Sequence, residues 1–208
     1  ALPISEFGER YPGSPVIAAK LLRPQDRLIA IEKHPEDVRP LRDALKATAN
    51  ARVIEGDGYQ ELVALLPPPE RRGVILVDPP YESDDEWRDA TSTIARSARR
   101  FATGIYCLWY PAKARGTVEA AVGELLHSGI TRLLQVELDI GVAPNEPSRA
   151  EGQGPRLSAT GLLVVNAPFG FAEAIEETLA TLTTIFARGA GANGFVRRRG
   201  REIGRAHV

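Results

Sequence analysis

The chain has 208 residues, 43% hydrophobic and 25% charged, with a net charge of −1, the size and balance of one globular domain with a sizeable core. No stretch approaches the roughly 18 apolar residues of a membrane span, and no basic-then-apolar leader opens it. The single cysteine, Cys107, excludes an internal disulfide framework and a multi-cysteine zinc site, so a cytoplasmic protein without a metal centre is expected. The near-neutral charge argues neither for nor against a nucleic-acid partner. Of the 26 basic residues, only Lys20, Lys33, Lys46 and Lys113 are lysines. Arginine suits phosphate and base stacking, but coding bias accounts for most of this excess until a patch is shown.

The ends need separate treatment. The sequence contains no methionine, so Ala1 is not expected to be the natural start. Its last residues back-translate to the opening of a common sequencing-library adapter. Residues 1–200 are therefore read as one domain, and 201–208, His207 included, as a non-native tail.

In chain order, short apolar runs alternate with helical patterns, the signature of a parallel α/β sheet. Ser14-Pro15 reads as an N-cap followed by proline at the first helical position, opening a helix over 16–22. A strand over 27–32 precedes a helix over 35–49, where Val38, Leu41 and Leu45 fall at helical spacing. A strand over 52–55 leads to a helix over 59–66, stopped by Pro67-Pro68-Pro69. The strand over 73–77 is followed by a helix over 84–101 with Trp87, Ile94, Ala98 and Phe101 on one face. Next come a strand over 104–109, a helix over 117–127, strands over 133–138 and 161–166, and a helix over 171–186. Several runs are apolar nearly throughout, as strands covered on both faces should be. The polar stretch 143–157 reads as a loop.

The sharpest feature is Asp78-Pro79-Pro80-Tyr81, directly after the apolar run 73–77. A buried strand ending this way puts a carboxylate at the carboxyl edge of the sheet, where open α/β sheets bind ligands. The two prolines remove backbone donors and stiffen the loop. Asp78 and the Pro79 carbonyl suit the two hydrogens of a planar exocyclic amine, and the Tyr81 ring face suits stacking on its base. A plain strand-to-loop turn is the competing reading.

Asp-Pro-Pro-Tyr after a strand resembles the catalytic motif of S-adenosylmethionine-dependent amino methyltransferases. The flanks narrow the resemblance. Tyr11-Pro12-Gly13-Ser14-Pro15, Glu32-Lys33-His34-Pro35, Gly56-Asp57-Gly58-Tyr59, Arg71-Arg72-Gly73 and Trp109-Tyr110-Pro111 follow, in order and wording, the RlmJ family of 23S ribosomal RNA adenine-N6 methyltransferases. An older description connects that family with use of external DNA. The resemblance runs from about Tyr11 to Gly194.

It implies a Rossmann-like methyltransferase sheet with helices on both faces. S-adenosylmethionine is the implied cofactor and 23S ribosomal RNA, protein-free or early in assembly, the implied partner of a monomer. Asp78, Pro79, Pro80 and Tyr81 are the implied catalytic residues. Ser14, Glu32, Asp57 and Gly58 are the implied cofactor residues, with Glu32 on the ribose and Asp57-Gly58 at the adenine. Trp109 is expected in the core, though exposed aromatics at that strand end would line a base pocket. His34 is expected to shape the turn before Pro35. Arg96, Arg99 and Arg100 read as a solvated helix end.

Two departures stand out. No strand is followed by Asp-x-x-(Ala/Gly)-Gly-x-Gly, so the family's first strand and glycine-rich loop are expected to be missing, leaving the fragment inactive alone. After Gly194 the family's closing strand is expected to give way at Arg197-Arg198-Arg199. A DNA adenine-N6 methyltransferase and a non-catalytic nucleic-acid-binding protein are the alternative functions.

Overall fold

The computed structural model describes residues 12–83, 85–112, 115–142 and 157–200. The loop expected over 143–157 falls outside these up to residue 156, as do Tyr11 and the expected tail at 201–208. Contacts divide the chain into two compact units, Ala1–Ala64 and Leu65–Val208.

The smaller unit runs α1 (Ser14–Leu21), β1 (Leu28–Glu32), α2 (Pro35–Leu45), β2 (Ala51–Glu55) and α3 (Gly58–Ala64). The two strands are parallel, in register from Leu28 opposite Ala51 to Glu32 opposite Glu55. Helix α1 corrects the expected cap. Gly13, not Ser14, holds the cap position, and its carbonyl accepts from Val16 and Ile17 at 3.0 and 3.1 Å. Ser14 is already helical and caps nothing, while Pro15 stands in the first turn, where a missing N–H costs little. Helix α2 buries Val38 and Leu45. It stops short of residue 49 because Thr48 and Ala51 enter consecutive turns, and Asn50 donates to the Pro24 carbonyl at 2.5 Å.

The larger unit runs β3 (Val74–Val77), α4 (Asp85–Arg100), β4 (Ile105–Pro111), α5 (Arg115–His127), β5 (Leu133–Asp139), β6 (Ala159–Val165), α6 (Phe171–Phe186) and β7 (Asn193–Arg199). Its sheet has the order β3-β4-β6-β5-β7. Only β3 and β4 pair in parallel here; β6 runs against both β4 and β5, and β7 against β5. The wholly parallel expectation is therefore corrected to a mixed sheet. Parallel neighbours need a crossover that returns the chain along the sheet. Successive strands β5 and β6 instead reverse against each other, and inserting β6 beside β4 fixes the second antiparallel pairing.

The expected loss of a strand at Arg197-Arg198-Arg199 is also corrected. These residues finish β7, and partners on neighbouring elements neutralise two of the charges. Arg198 meets Glu173 on α6 at 2.8 Å, and Arg199 pairs with Glu119 on α5. Arg199 Nε also donates to Gln135 Oε1 at 2.8 Å. Arg197 lies 5.3 Å from the centre of the Phe195 ring.

The core centres on β4, whose alternation sends Tyr106, Leu108 and Tyr110 into the interior with Ile94, Leu125 and Leu163. On α4, Ile94 and Phe101 are buried as expected and Trp87 and Ala98 are half-buried. Thr91, Thr93 and Ser97 are buried too, with the Thr91 hydroxyl donating to Glu124 on α5 at 2.6 Å. Strand β3 departs from two-sided burial, since Val74 and Leu76 remain 71% and 53% exposed. Among the described strands, β1 and β3 each pair on one side only. No described helix is long and apolar enough to cross a membrane.

Gly161 on β6 stands opposite Tyr110, and an added Cβ would run into the tyrosine ring. Gly161→Ala is expected to destabilise the protein by about 1–3 kcal/mol through overpacking. Urea unfolding would show this as a lower midpoint with an unchanged slope.

Candidate functional site

Strands β3 and β4 run in parallel with Val77 opposite Leu108. Asp78 therefore leaves the sheet beside Trp109, at the carboxyl end of β3 and two residues before that of β4. Pro79 is buried and Pro80 exposed, so one proline packs down while the other faces solvent. Tyr81 then takes a left-handed backbone, φ 54°, which costs a bulky residue about 1–3 kcal/mol. Several contacts hold it there. Its hydroxyl donates to the Trp109 carbonyl at 2.6 Å, and its ring lies 4.9 Å from Trp87 and 6.1 Å from Trp109, centre to centre. Immediately beyond, the Glu82 N–H donates to Glu86 on α4 at 2.9 Å.

Asp78 is accessible as a residue, yet desolvation of its carboxyl by the surrounding protein raises its pKa above the ordinary carboxylate value. The site thus joins a carboxyl with a displaced titration to an aromatic ring of fixed orientation. Sequence reasoning assigned only the ring face of Tyr81; the structure engages the hydroxyl as well. It also missed Trp87, which reads from periodicity as an ordinary apolar-face residue but packs on Tyr81 and, at 5.6 Å, on Tyr110. Of the aromatics on β4, Tyr106 and Tyr110 are fully buried, whereas Trp109 is only half-buried. The Tyr110 hydroxyl donates to Glu137 at 2.8 Å. Burial first, and then the Glu137 carboxylate, push its pKa far up.

In the smaller unit, Glu32 ends β1 and its Oε1 accepts the His34 N–H at 2.9 Å. His34 occupies the cap position of α2, so it does shape that turn. No hydrogen bond to Glu32 Oε2 occurs among the described residues. Asp57 caps α3: its Oδ1 accepts from the backbones of Tyr59 and Gln60 at 3.0 and 3.2 Å, and Lys33 reaches Oδ2 at 3.3 Å. Burial raises the Asp57 pKa, but the bonds from Gln60, Lys33 and Tyr59 outweigh it, and the net displacement is downward. At Gly58, which is exposed, an added Cβ would meet open space. Ser14 is exposed and, among the described residues, touches neither carboxylate. This donor set fits the ribose and adenine of a nucleoside cofactor at Glu32 and Gly58. Asp57 already has both oxygens engaged.

A sheet interleaved with helices, carrying Asp-Pro-Pro-Tyr at the carboxyl edge of β3, has the Rossmann-like architecture of S-adenosylmethionine-dependent methyltransferases. The family is narrower than that class. A family model described as Ribosomal RNA large subunit methyltransferase D, RlmJ, matches residues 2–197, and the chain belongs to the RlmJ family. It is 42% identical over 172 residues to Ribosomal RNA large subunit methyltransferase J of Escherichia coli (strain K12), covering 83% of this chain and 59% of the relative. It is 38% identical over 182 residues to the protein of that name from Haemophilus influenzae, covering 87% and 62%. The chain thus spans about three-fifths of the length of these curated relatives. A crystal structure of a Legionella pneumophila protein, 32% identical, superposes with a TM-score of 0.78 over 93% of this chain and 67% of that one.

The cap at Asp57 gives a stability prediction. Asp57→Ala is expected to cost about 1 kcal/mol at neutral pH. Because the folded pKa is depressed, this contribution is present above the unfolded carboxylate pKa and is lost as pH falls through the folded one. Thermal melts of both proteins at neutral and acid pH should show the difference shrinking on acidification.

Proposed function

We propose that this protein transfers a methyl group from S-adenosylmethionine to N6 of an adenine in 23S ribosomal RNA. The observation that carries the reading is the Asp-Pro-Pro-Tyr turn at the carboxyl edge of β3, with Tyr81 held by Trp109 and Trp87. When bound, S-adenosylmethionine supplies an electrophilic methyl on its sulfonium sulfur.

The adenine amine is a weak nucleophile because its lone pair is delocalised into the ring. In this reading Asp78 and the Pro79 carbonyl accept its two hydrogens and hold the nitrogen in line with the methyl group, a gain of proximity and orientation. The same acceptors stabilise positive charge as the nitrogen becomes tetrahedral. Asp78, or water beside it, then takes the proton. Stacking on Tyr81 contributes roughly 1–3 kcal/mol against the few kcal/mol needed to swing the base out of a helix. The second carboxylate oxygen of Glu32 serves the cofactor ribose, with Oε1 oriented by the His34 N–H. The protein acts as a monomer on RNA that is protein-free or early in assembly.

The deciding measurement is methyl transfer by the full-length protein to protein-free 23S ribosomal RNA, assembled subunits and duplex DNA, with the modified nucleoside mapped. N6-methyladenine in protein-free RNA is expected; product in DNA alone would overturn the reading. Asp78→Ala is expected to lower kcat by about a hundredfold or more while the cofactor dissociation constant stays near wild type. Since the ionised carboxylate is the acceptor, activity rises with pH through a pKa displaced upward. The acid limb of kcat/KM should accordingly lie above the ordinary aspartate value and disappear in the variant.

Glu32→Ala in the full-length protein is expected to raise the S-adenosylmethionine dissociation constant roughly tenfold to hundredfold, from the loss of one or two charge-assisted bonds. Calorimetric titration checks it.

A further inference from the structure

The end of the larger unit remote from Asp78 gathers four loops through side-chain bonds. Thr103 donates to the Arg71 carbonyl at 3.0 Å, joining the loop before β3 to the turn after α4. Arg100 donates from Nε to the Leu66 carbonyl at 2.8 Å. Asn166, after β6, donates to the carbonyls of Ala102 and Gly104 at 3.0 and 2.9 Å. Arg132, before β5, reaches the Ala167 carbonyl at 3.2 Å. Arg71, Arg72, Arg99, Arg100 and Arg132 therefore share one end of the sheet, where Glu70 is the single carboxylate of the four loops.

These arginines differ in their partners from those paired elsewhere in the larger unit. Arg88, Arg198 and Arg199 are neutralised by carboxylates. Arg100 and Arg132 instead bond only neutral carbonyls, and the guanidinium groups of Arg71, Arg72 and Arg99 make no hydrogen bond or ion pair among the described residues. In the same cluster, Phe169 stands fully exposed on the loop after β6. Guanidinium charge with no carboxylate partner among the described residues, beside an open aromatic face, matches a polyanion that also offers bases for stacking.

We propose that this end is a docking surface for the backbone and an unpaired base of the RNA substrate, an inference that rests on the RNA part of the proposed function. Strand β3 with its flanking residues, from Gly73 to Asp78, separates it from the catalytic edge by about 17 Å. A folded RNA spans that distance while presenting a target base at the far end.

The test uses the full-length protein, a triple Arg71→Ala, Arg72→Ala, Arg99→Ala variant, its triple lysine counterpart, and Phe169→Ala. Fluorescence anisotropy with a labelled hairpin from large-subunit ribosomal RNA is read across a salt series, and methyl-transfer kinetics are measured beside it. The triple alanine variant should raise the RNA dissociation constant at least tenfold. Its slope of log affinity against log salt should shrink by about 2 to 3, at roughly 0.7–0.9 per phosphate contact. The lysine variant should keep the wild-type slope. Phe169→Ala should weaken binding about tenfold without changing the slope. Cofactor affinity, and kcat at saturating RNA, should not move. RNA affinity and slope within twofold of wild type in the alanine variant would overturn the surface. Anisotropy registers that failure without methyl transfer, whereas a wild-type protein that binds RNA and methylates none would remove the functional reading instead.

Discussion

The period of two along Ile105–Pro111 constrains the larger unit more than any other pattern in the chain. It drives Tyr106, Leu108 and Tyr110 into one buried face. Trp109 is left on the other face, with its carbonyl beside the turn that follows β3. A shift of one residue would exchange the two sets, placing two tyrosines outside and removing the acceptor of the Tyr81 hydroxyl. Pairing with β3 on one side and β6 on the other holds the register. The candidate site is thus a product of how a neighbouring strand packs as well as of its own sequence.

Buried polarity behind that face is resolved by a network. Tyr110, Gln135 and Glu137 bond one another, and Gln135 passes the chain on to Arg199. Such groups are costly when unpaired and rigid when satisfied. Strand β7 lies at the sheet edge, yet through Arg199 it contributes to the setting of a ring that packs on Trp87 and, through it, on Tyr81. An arginine-rich segment with the outward look of a solvated loop is in this way part of the core's hydrogen bonding.

Strand and helix positions are legible in the sequence because apolar runs and periodic faces are local properties, and β3 ends at Val77 where the run does. Strand direction is not legible, since it depends on which strand inserts beside which; β6 looks like any other apolar run until its neighbours are known. The cap at Gly13 escapes because Ser14 is the stronger cap by residue type, and the backbone alone decides otherwise. Asp78 at a strand end can be read from spacing. The left-handed backbone of Tyr81, the partner of its hydroxyl and the packing of Trp87 cannot, because each is a contact across more than one element. Glu32 and Asp57 lie at strand ends as the spacing indicates. That Asp57 is already occupied by an N-cap and Lys33 emerges only from coordinates.

Tyr81 combines an unfavourable backbone angle with a hydroxyl anchor and two flanking indoles. Such a side chain has little conformational search left to make. The freedom of the loop is surrendered during folding, so ordering at the moment of encounter falls on the incoming ligand rather than on the protein. Discrimination at such a ring is by shape: a flat partner meets a surface of set tilt, and one that requires a different tilt finds no loop able to follow it.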